Sequence, residues 1–335
     1  MLQEHIHLLP RLLEKSGATP AMMATRDGFG EALLELGEKD ERVVVVCADL
    51  AESTRVLGFK EMYPERYIEA GVAEQNMATV ASGLVAYGKI PFIASYATFS
   101  PGHNNEQIRT TIAINNRPVK IAGMHAGISV GPDGATHQAL DDIALMRVLP
   151  GMTVISPCDA EEARQATLAA ALHPGPVYLR FAREKTPVMT TRETPFTIGK
   201  AEVYWEGEGA EVAIFATGPL LYNALCAAQE LEGEFAVSVI NVHTIKPLDR
   251  EMVVKKARGA GAVVTVEEHQ IAGGLGSAIA EVLAREAPMP MEFVGVHDQF
   301  GQSGEPKELI AHYGMDTRHI VAAARRARGR SSSKV

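Results

Sequence analysis

The chain has 335 residues, 46% hydrophobic and 22% charged, a globular composition long enough to fill two cores. A net charge of −9 with no basic stripe argues against a nucleic-acid binder. Cys47, Cys158 and Cys226 stand far apart with no CxxC pair, so there is no sign of a disulfide framework or a zinc site. That cysteine usage fits a reducing, cytoplasmic setting, and the opening MLQEHIHLLPRLLEK is too charged for a signal peptide or membrane span.

After an N-terminal extension (1–20), β-branched runs predict strands at 43–47, 90–94, 119–122, 153–155 and 177–181. Helical spacing falls between them, near 27–37, 74–87, 104–115, 137–147 and 159–172. Apolar strands alternating with helices read as a mainly parallel sheet covered on both faces. From Glu184 to about Lys200 two prolines and five threonines break the pattern, with the linker proper at 191–200. The alternation then restarts: strands at 212–216, 237–240, 262–266 and 291–296, helices at 219–231, 249–258 and 275–286. A second, smaller α/β domain follows from this, ending in a basic tail expected to be disordered over 329–335.

Several stretches could carry chemistry. In Gly71-Val72-Ala73-Glu74-Gln75-Asn76-Met77 a carboxylate opens a helix. Reading on from Glu74 at helical spacing gives Met77, Ala78, Ala81 and Val85, so Glu74 shares the apolar face. Burial disfavours a charged carboxylate, so a group placed there is suited to holding a proton. The plainer reading is a first-turn acid favoured by the helix dipole. The loop 123–138 follows a strand and holds four glycines, His125, Asp133 and His137, residues suited to proton handling or to bonding a polyol. Zinc is the competing reading, but the His spacing is long and no third ligand stands out.

Tyr96 and Phe99 follow another strand and could stack on a planar ring or fill a core. Arg26, Asp49, Ser53 and Arg183 sit at strand ends or helix starts, and arginines there can grip a phosphate. Gly273-Gly274-Leu275-Gly276-Ser277 lacks the third glycine of a dinucleotide loop, because Ile279 stands in its place, and reads as a helix-packing turn.

The motifs ATR (24–26), ADLAES (48–53), GVAEQNM (71–77), SYATF (95–99), HAGISVGPDGATHQ (125–138), FAR (181–183) and DQFGQSG (298–304) occur in that order. Collectively they resemble the C-terminal half of a transketolase, from about Thr25 to Arg325. The resemblance implies an α/β fold of two doubly wound domains: a mainly parallel-sheet pyrimidine-binding domain (21–190), then a smaller transketolase C-terminal domain (201–328). It implies thiamine diphosphate as cofactor, which supplies the hard chemistry, and transfer of two-carbon ketol units between sugar phosphates.

By motif position Glu74 is the glutamate that protonates the cofactor's aminopyrimidine ring. Tyr96 and Phe99 resemble the aromatics around that ring, although the family commonly has Phe at the position of Tyr96. His125 and His137 match histidines that contact substrate and shuttle protons. Asp133 matches an aspartate facing the sugar 2-hydroxyl, and Asp49 one near the donor. Arg26, Ser53, His125 and Arg183 resemble the phosphate grip.

No GDG with a downstream Asn, the common diphosphate–magnesium signature, occurs in the chain. The expectation is therefore one subunit, of beta type, of a split enzyme. A separate N-terminal subunit would hold the diphosphate and its Mg2+ or Ca2+; this chain would supply no metal ligand, and two copies of each would assemble. A 1-deoxyxylulose-5-phosphate synthase-like protein or the β chain of a 2-oxoacid decarboxylase is the alternative enzyme. The first typically has Glu-Gln-His where this chain has Glu74-Gln75-Asn76, and the second lacks the full DGATHQ loop. A non-catalytic scaffold of the same fold is the third reading, opposed by the joint presence of Glu74, His125, Asp133 and His137.

Overall fold

The computed structural model describes residues 1–9, 12–13 and 20–332. The rest of the extension and residues 333–335 of the expected tail lie outside the described residues.

The first domain begins with β1 (Met22–Ala24) and α1 (Thr25–Lys39), whose Phe29, Leu33 and Leu36 are buried. Then come β2 (Val43–Cys47), α2 (Leu57–Met62), β3 (Tyr67–Glu69), α3 (Glu74–Ala86) and β4 (Ile90–Tyr96). A short α4 (Asn105–Gln107) runs into a π turn (Ile108–Ala113), followed by β5 (Lys120–Met124) and a 3-10 segment (Ile128–Asp133). The domain closes with α5 (Asp142–Arg147), β6 (Thr153–Ile155), α6 (Ala160–Leu172), β7 (Val177–Arg180) and β8 (Lys185–Pro187), which pairs with β1. All five residues of β2 and of β5 are buried, as in strands with helices on both faces.

The second domain contains β9 (Glu202–Glu206), β10 (Val212–Ala216), α7 (Leu221–Glu230), β11 (Val237–Asn241), β12 (Thr244–Lys246), α8 (Arg250–Ala260) and β13 (Val263–Gln270). It ends with α9 (Leu275–Glu286), β14 (Met291–Val296), α10 (Pro306–His312) and α11 (Thr317–Ser332). Its sheet runs β14-β13-β10-β11-β9, parallel except at β9. Both domains are thus α/β with mainly parallel sheets.

Three local expectations need correction, and one strand pairing was not foreseen. Residues 104–115 do not form a regular helix: the hydroxyls of Thr110 and Thr111 bond back to the carbonyls of Glu106 and Gln107, and the ladder widens into the π turn. The helix expected from 137 starts only at Asp142, because Ala139 pairs with Ala126 beforehand. The tail expected to be disordered from 329 is helical through Ser332; Arg330 donates to the Met291 carbonyl and pairs with Glu292 at 2.7 Å. Finally β12 crosses over and adds an antiparallel edge to the first domain's sheet, with Thr244 opposite Ile155. The extension is anchored too: Leu2 bridges Trp205, and Ile6 is buried in the second domain's core.

The first sheet reads β12-β6-β7-β5-β4-β2-β3. From β2 the chain steps outward to β3, then returns across to β4 on the other side of β2. The strand order therefore reverses between β2 and β4, and ligands of open α/β sheets sit beyond the carboxyl ends of strands at such a point. Asp49 and His125 follow β2 and β5, Tyr96 ends β4, and Glu74 opens the helix that leads back across the reversal. No helix among the described residues is long and apolar enough to cross a membrane.

Candidate active site

Glu74 is the first residue of α3 and is 5% exposed, with Met77, Ala78 and Ala81 buried on the same face. Its Oε1 accepts a hydrogen bond from Ser95 Oγ at 3.0 Å, and its carbonyl accepts one from Asn104 Nδ2 at 3.1 Å. Ser95 lies in β4 and Asn104 precedes α4, and neither side chain is exposed. No hydrogen bond within the described residues occupies Oε2. The carboxylate is pinned by one oxygen and presents the other.

Tyr96, the residue after Ser95, begins a wall of rings. Tyr96 stacks on Phe99 at 5.9 Å between centroids and on His125 at 4.2 Å. His137 meets Tyr96 and Phe99 edge-on at 6.0 and 5.5 Å. Four residues picked out in two motifs thus share one cluster, in the offset and T-shaped arrangements that aromatic quadrupoles favour.

His125 also touches the cations. Its Nε2 lies 2.7 Å from Arg26 Nη1, which also donates to the Ser53 carbonyl at 2.9 Å. A guanidinium has only donors, so Nε2 must accept and the proton sits on Nδ1. Burial, with Arg26 and Arg183 nearby, pushes His125 down to about 3, so the ring is neutral. Its Nδ1 is buried and has no partner among the described residues. A buried N–H without an acceptor is costly, and one aimed at a ligand atom removes that cost. His125 is therefore set as a donor through Nδ1.

Arg183 follows β7 and donates to the Val130 carbonyl at 2.8 Å, with Asp133 Oδ1 at 3.4 Å. It thereby ties the loop 125–138 to the end of the sheet. Ser53 joins the site through its carbonyl, accepting from Arg26. His137 Nδ1 pairs with Thr136 Oγ1 at 2.9 Å. Asp49 stands apart: it is exposed at positive φ, and its N–H donates to Glu69 Oε1 at 2.8 Å. Among the described residues no hydrogen bond or ion pair joins it to the Arg26–His125 group. Ser95 and Asn104 escaped the sequence reading; the one signal for Ser95 was its place in SYATF beside the aromatics.

The comparisons come down on one family. The chain matches "Transketolase, pyrimidine binding domain" over residues 21–189 and "Transketolase, C-terminal domain" over residues 199–320. The chain belongs to the transketolase family. It is 43% identical over 300 residues to a putative transketolase C-terminal section of Methanocaldococcus jannaschii, covering 88% of this chain and 93% of that one. It is 41% identical over 300 residues to the 6-deoxy-6-sulfo-D-fructose transketolase subunit SqwH of a Clostridium species (strain MSTE9), covering 89% of this chain and 92% of that one. A solved structure described as a split gene transketolase, an inactive beta4 tetramer, superimposes with a TM-score of 0.86 at 45% identity, covering 92% of this chain and 99% of the other. The resemblance to a transketolase C-terminal section and the expected α/β fold therefore hold, and these relatives are split sections or subunits.

Thiamine diphosphate is the cofactor of this family, and the residues present fit its pyrimidine end. A planar aminopyrimidine needs an aromatic wall and a buried carboxyl with one free oxygen, and Tyr96, Phe99 and Glu74 supply these. No group of three or more His, Cys, Asp or Glu among the described residues is placed to hold a metal ion.

Proposed function

We propose that this chain is the pyrimidine-binding subunit of a split, thiamine diphosphate-dependent transketolase that moves two-carbon ketol units between sugar phosphates. A separate N-terminal chain would hold the diphosphate and its Mg2+ or Ca2+, with two copies of each chain in a cytoplasmic assembly. One observation carries the reading: a buried carboxylate with one oxygen pinned and one free, set against a ring wall that leads to two arginines.

Thiamine diphosphate, when bound, supplies the nucleophilic carbon. Glu74 holds or releases a proton at Oε2 toward the ring nitrogen, while Ser95 keeps Oε1 occupied. Tyr96 and Phe99 orient the ring and exclude water from it. His125 donates its Nδ1 proton to a sugar oxygen. Arg26 and Arg183 bind the terminal phosphate, and Asp133, paired with Arg183, faces the sugar hydroxyls beside His137. Asp49 would contribute only at the donor end of the cleft.

The test is ketol transfer from xylulose 5-phosphate to ribose 5-phosphate by the chain co-purified with its partner, with 6-deoxy-6-sulfo-D-fructose as a second donor. Turnover is expected with the partner and none without it. Robust turnover by the isolated chain would overturn the split reading, and no transfer from either donor in the assembled complex would overturn the transketolase reading.

A further inference from the structure

The loop 125–138 is shaped largely by the second domain. Glu268 lies in β13, is buried, and accepts a hydrogen bond from the Ser129 N–H through Oε1 at 2.6 Å. The backbone of Gly127 passes so close that a Cβ there would lie 2.3 Å from the same oxygen, and its φ of +93° is one that side-chain-bearing residues avoid. The Glu268 carbonyl is itself fixed, accepting from Arg180 Nη2 at 2.8 Å. Gln138, at the far end of the loop, donates both to the Ile128 carbonyl and to the Gln302 carbonyl, each at 3.0 Å. The loop thus closes on itself and on the segment just before α10.

We infer that Glu268 is a positioning residue for sugar binding, clamping Gly127–Ser129 from behind so that His125 and Asp133 face the substrate. It touches neither cofactor nor substrate. The clamped residues Gly127 and Ser129 follow His125 by two and four positions, and the 3-10 segment that begins at Ile128 carries Asp133 at its end. A charge-assisted bond of this kind is among the stronger ones, and a shape change of the loop propagates directly to both substrate-facing side chains. The second domain, which holds none of the residues proposed for the chemistry, acquires a defined task.

The functional half of this inference rests on the transketolase reading, and the structural half does not. Hydrogen exchange on the full chain reads the clamp alone. In Glu268→Ala the peptide covering 127–134 should exchange at least about tenfold faster while the β2 and β11 peptides stay as in the wild type. Glu268→Gln, which keeps an acceptor, should restore most of the protection. Should the alanine variant fail to fold, Glu268→Asp, shorter by one methylene, should show the same local acceleration to a lesser degree. Unchanged exchange in the folded variants would overturn the clamp.

In the assembled complex Glu268→Ala should raise KM for the sugar phosphate about tenfold, with kcat within about twofold and thiamine diphosphate affinity unchanged, while Glu268→Gln stays close to the wild type. Loosened exchange with an unaltered KM, or a fall in kcat alone, would overturn the positioning role. A wild-type complex with no ketol transfer would overturn the transketolase reading instead, and the exchange data would still decide the clamp.

Discussion

Ser95 Oγ donates to Glu74 Oε1 at 3.0 Å, and this contact decides which carboxylate oxygen of the buried Glu74 is left to act. Strand β4 carries Ser95 and helix α3 carries Glu74, so the bond ties the proton-handling group to the rigid sheet. Sites built on regular elements hold their geometry better than sites on loops.

Removing the two partners should have graded effects. Glu74→Gln, assayed in the complex, should lower turnover by about 10²–10⁴, the range for losing a general acid or base, with assembly intact by size-exclusion chromatography. Ser95→Ala removes one hydrogen bond to a carboxylate and should cost about 1–2 kcal/mol, or roughly tenfold in kcat/KM. Near-wild-type rates for Glu74→Gln would remove Glu74 from the mechanism, and a silent Ser95→Ala would make the contact incidental.

Arg183 bonds the Val130 carbonyl and faces Asp133 while about a third exposed, which leaves donors for an incoming anion. Arg183→Ala should raise KM for phosphorylated sugars about tenfold and change it little for their unphosphorylated counterparts. Steady-state kinetics on matched sugar pairs checks this, and an equal effect on both would remove the phosphate grip.

Glu74 was legible because helical spacing put it in register with Met77, Ala78 and Ala81, a pattern the sequence displays locally. The ring cluster was legible in composition but not in arrangement: that Tyr96 would stack on His125 depends on β4 and β5 lying side by side. Ser95 and Glu268 were illegible for the same reason, each meeting its partner across a gap of 21 and 139 residues. The swap of β12 into the first domain's sheet involves a three-residue strand, too short for any period to register. Asp49 shows the converse, a residue in a matching motif that the fold leaves at the rim.

The first domain also holds a buried ion pair, whose arginine donates to the second domain's Glu268 carbonyl. Arg180 and Asp142 lie at 2.8 Å, at 5% and 1% exposure, with Tyr178 donating to the same carboxylate at 2.7 Å. Burial alone would raise the Asp142 carboxyl, but Arg180 and these donors hold it below its ordinary range. Arg180→Met strands that charge and should cost about 3–5 kcal/mol in urea unfolding. Adding Asp142→Leu to the same chain should recover part of the loss, since no unpaired charge then remains. A destabilisation below about 1 kcal/mol in the single variant would show that water reaches the pair.

Acid stability follows from three buried histidines working against two buried glutamates. Burial holds His125 and His243 down at about 3 and His269 at about 4, against an ordinary 6.5. Below about pH 6.5 the unfolded chain takes up protons that the folded chain refuses, so stability falls as pH drops. Burial raises Glu162 and Glu267 to about 7 from an ordinary 4.5. The folded chain keeps those protons and the unfolded chain releases them, so their effect is opposite: stability falls as pH rises from about 4.5 through 7.

Between pH 4.5 and 6.5 the two sets largely cancel, leaving a shallow net loss on acidification. Below pH 4.5 the glutamate contributions stop changing, the histidine losses run unopposed, and the decline steepens. His243 stacks on Phe196 in the second domain's approach to the linker, away from the ring wall, and bonds Thr244 Oγ1 at 2.9 Å. His243→Asn keeps a polar partner for Thr244 but cannot titrate. The slope of unfolding free energy against pH between 6 and 4 should therefore be lower in the variant by up to one proton, about 1.4 kcal/mol per pH unit. Identical slopes in urea melts across that range would mean that the folded chain protonates His243 freely, and that the pocket around it admits water.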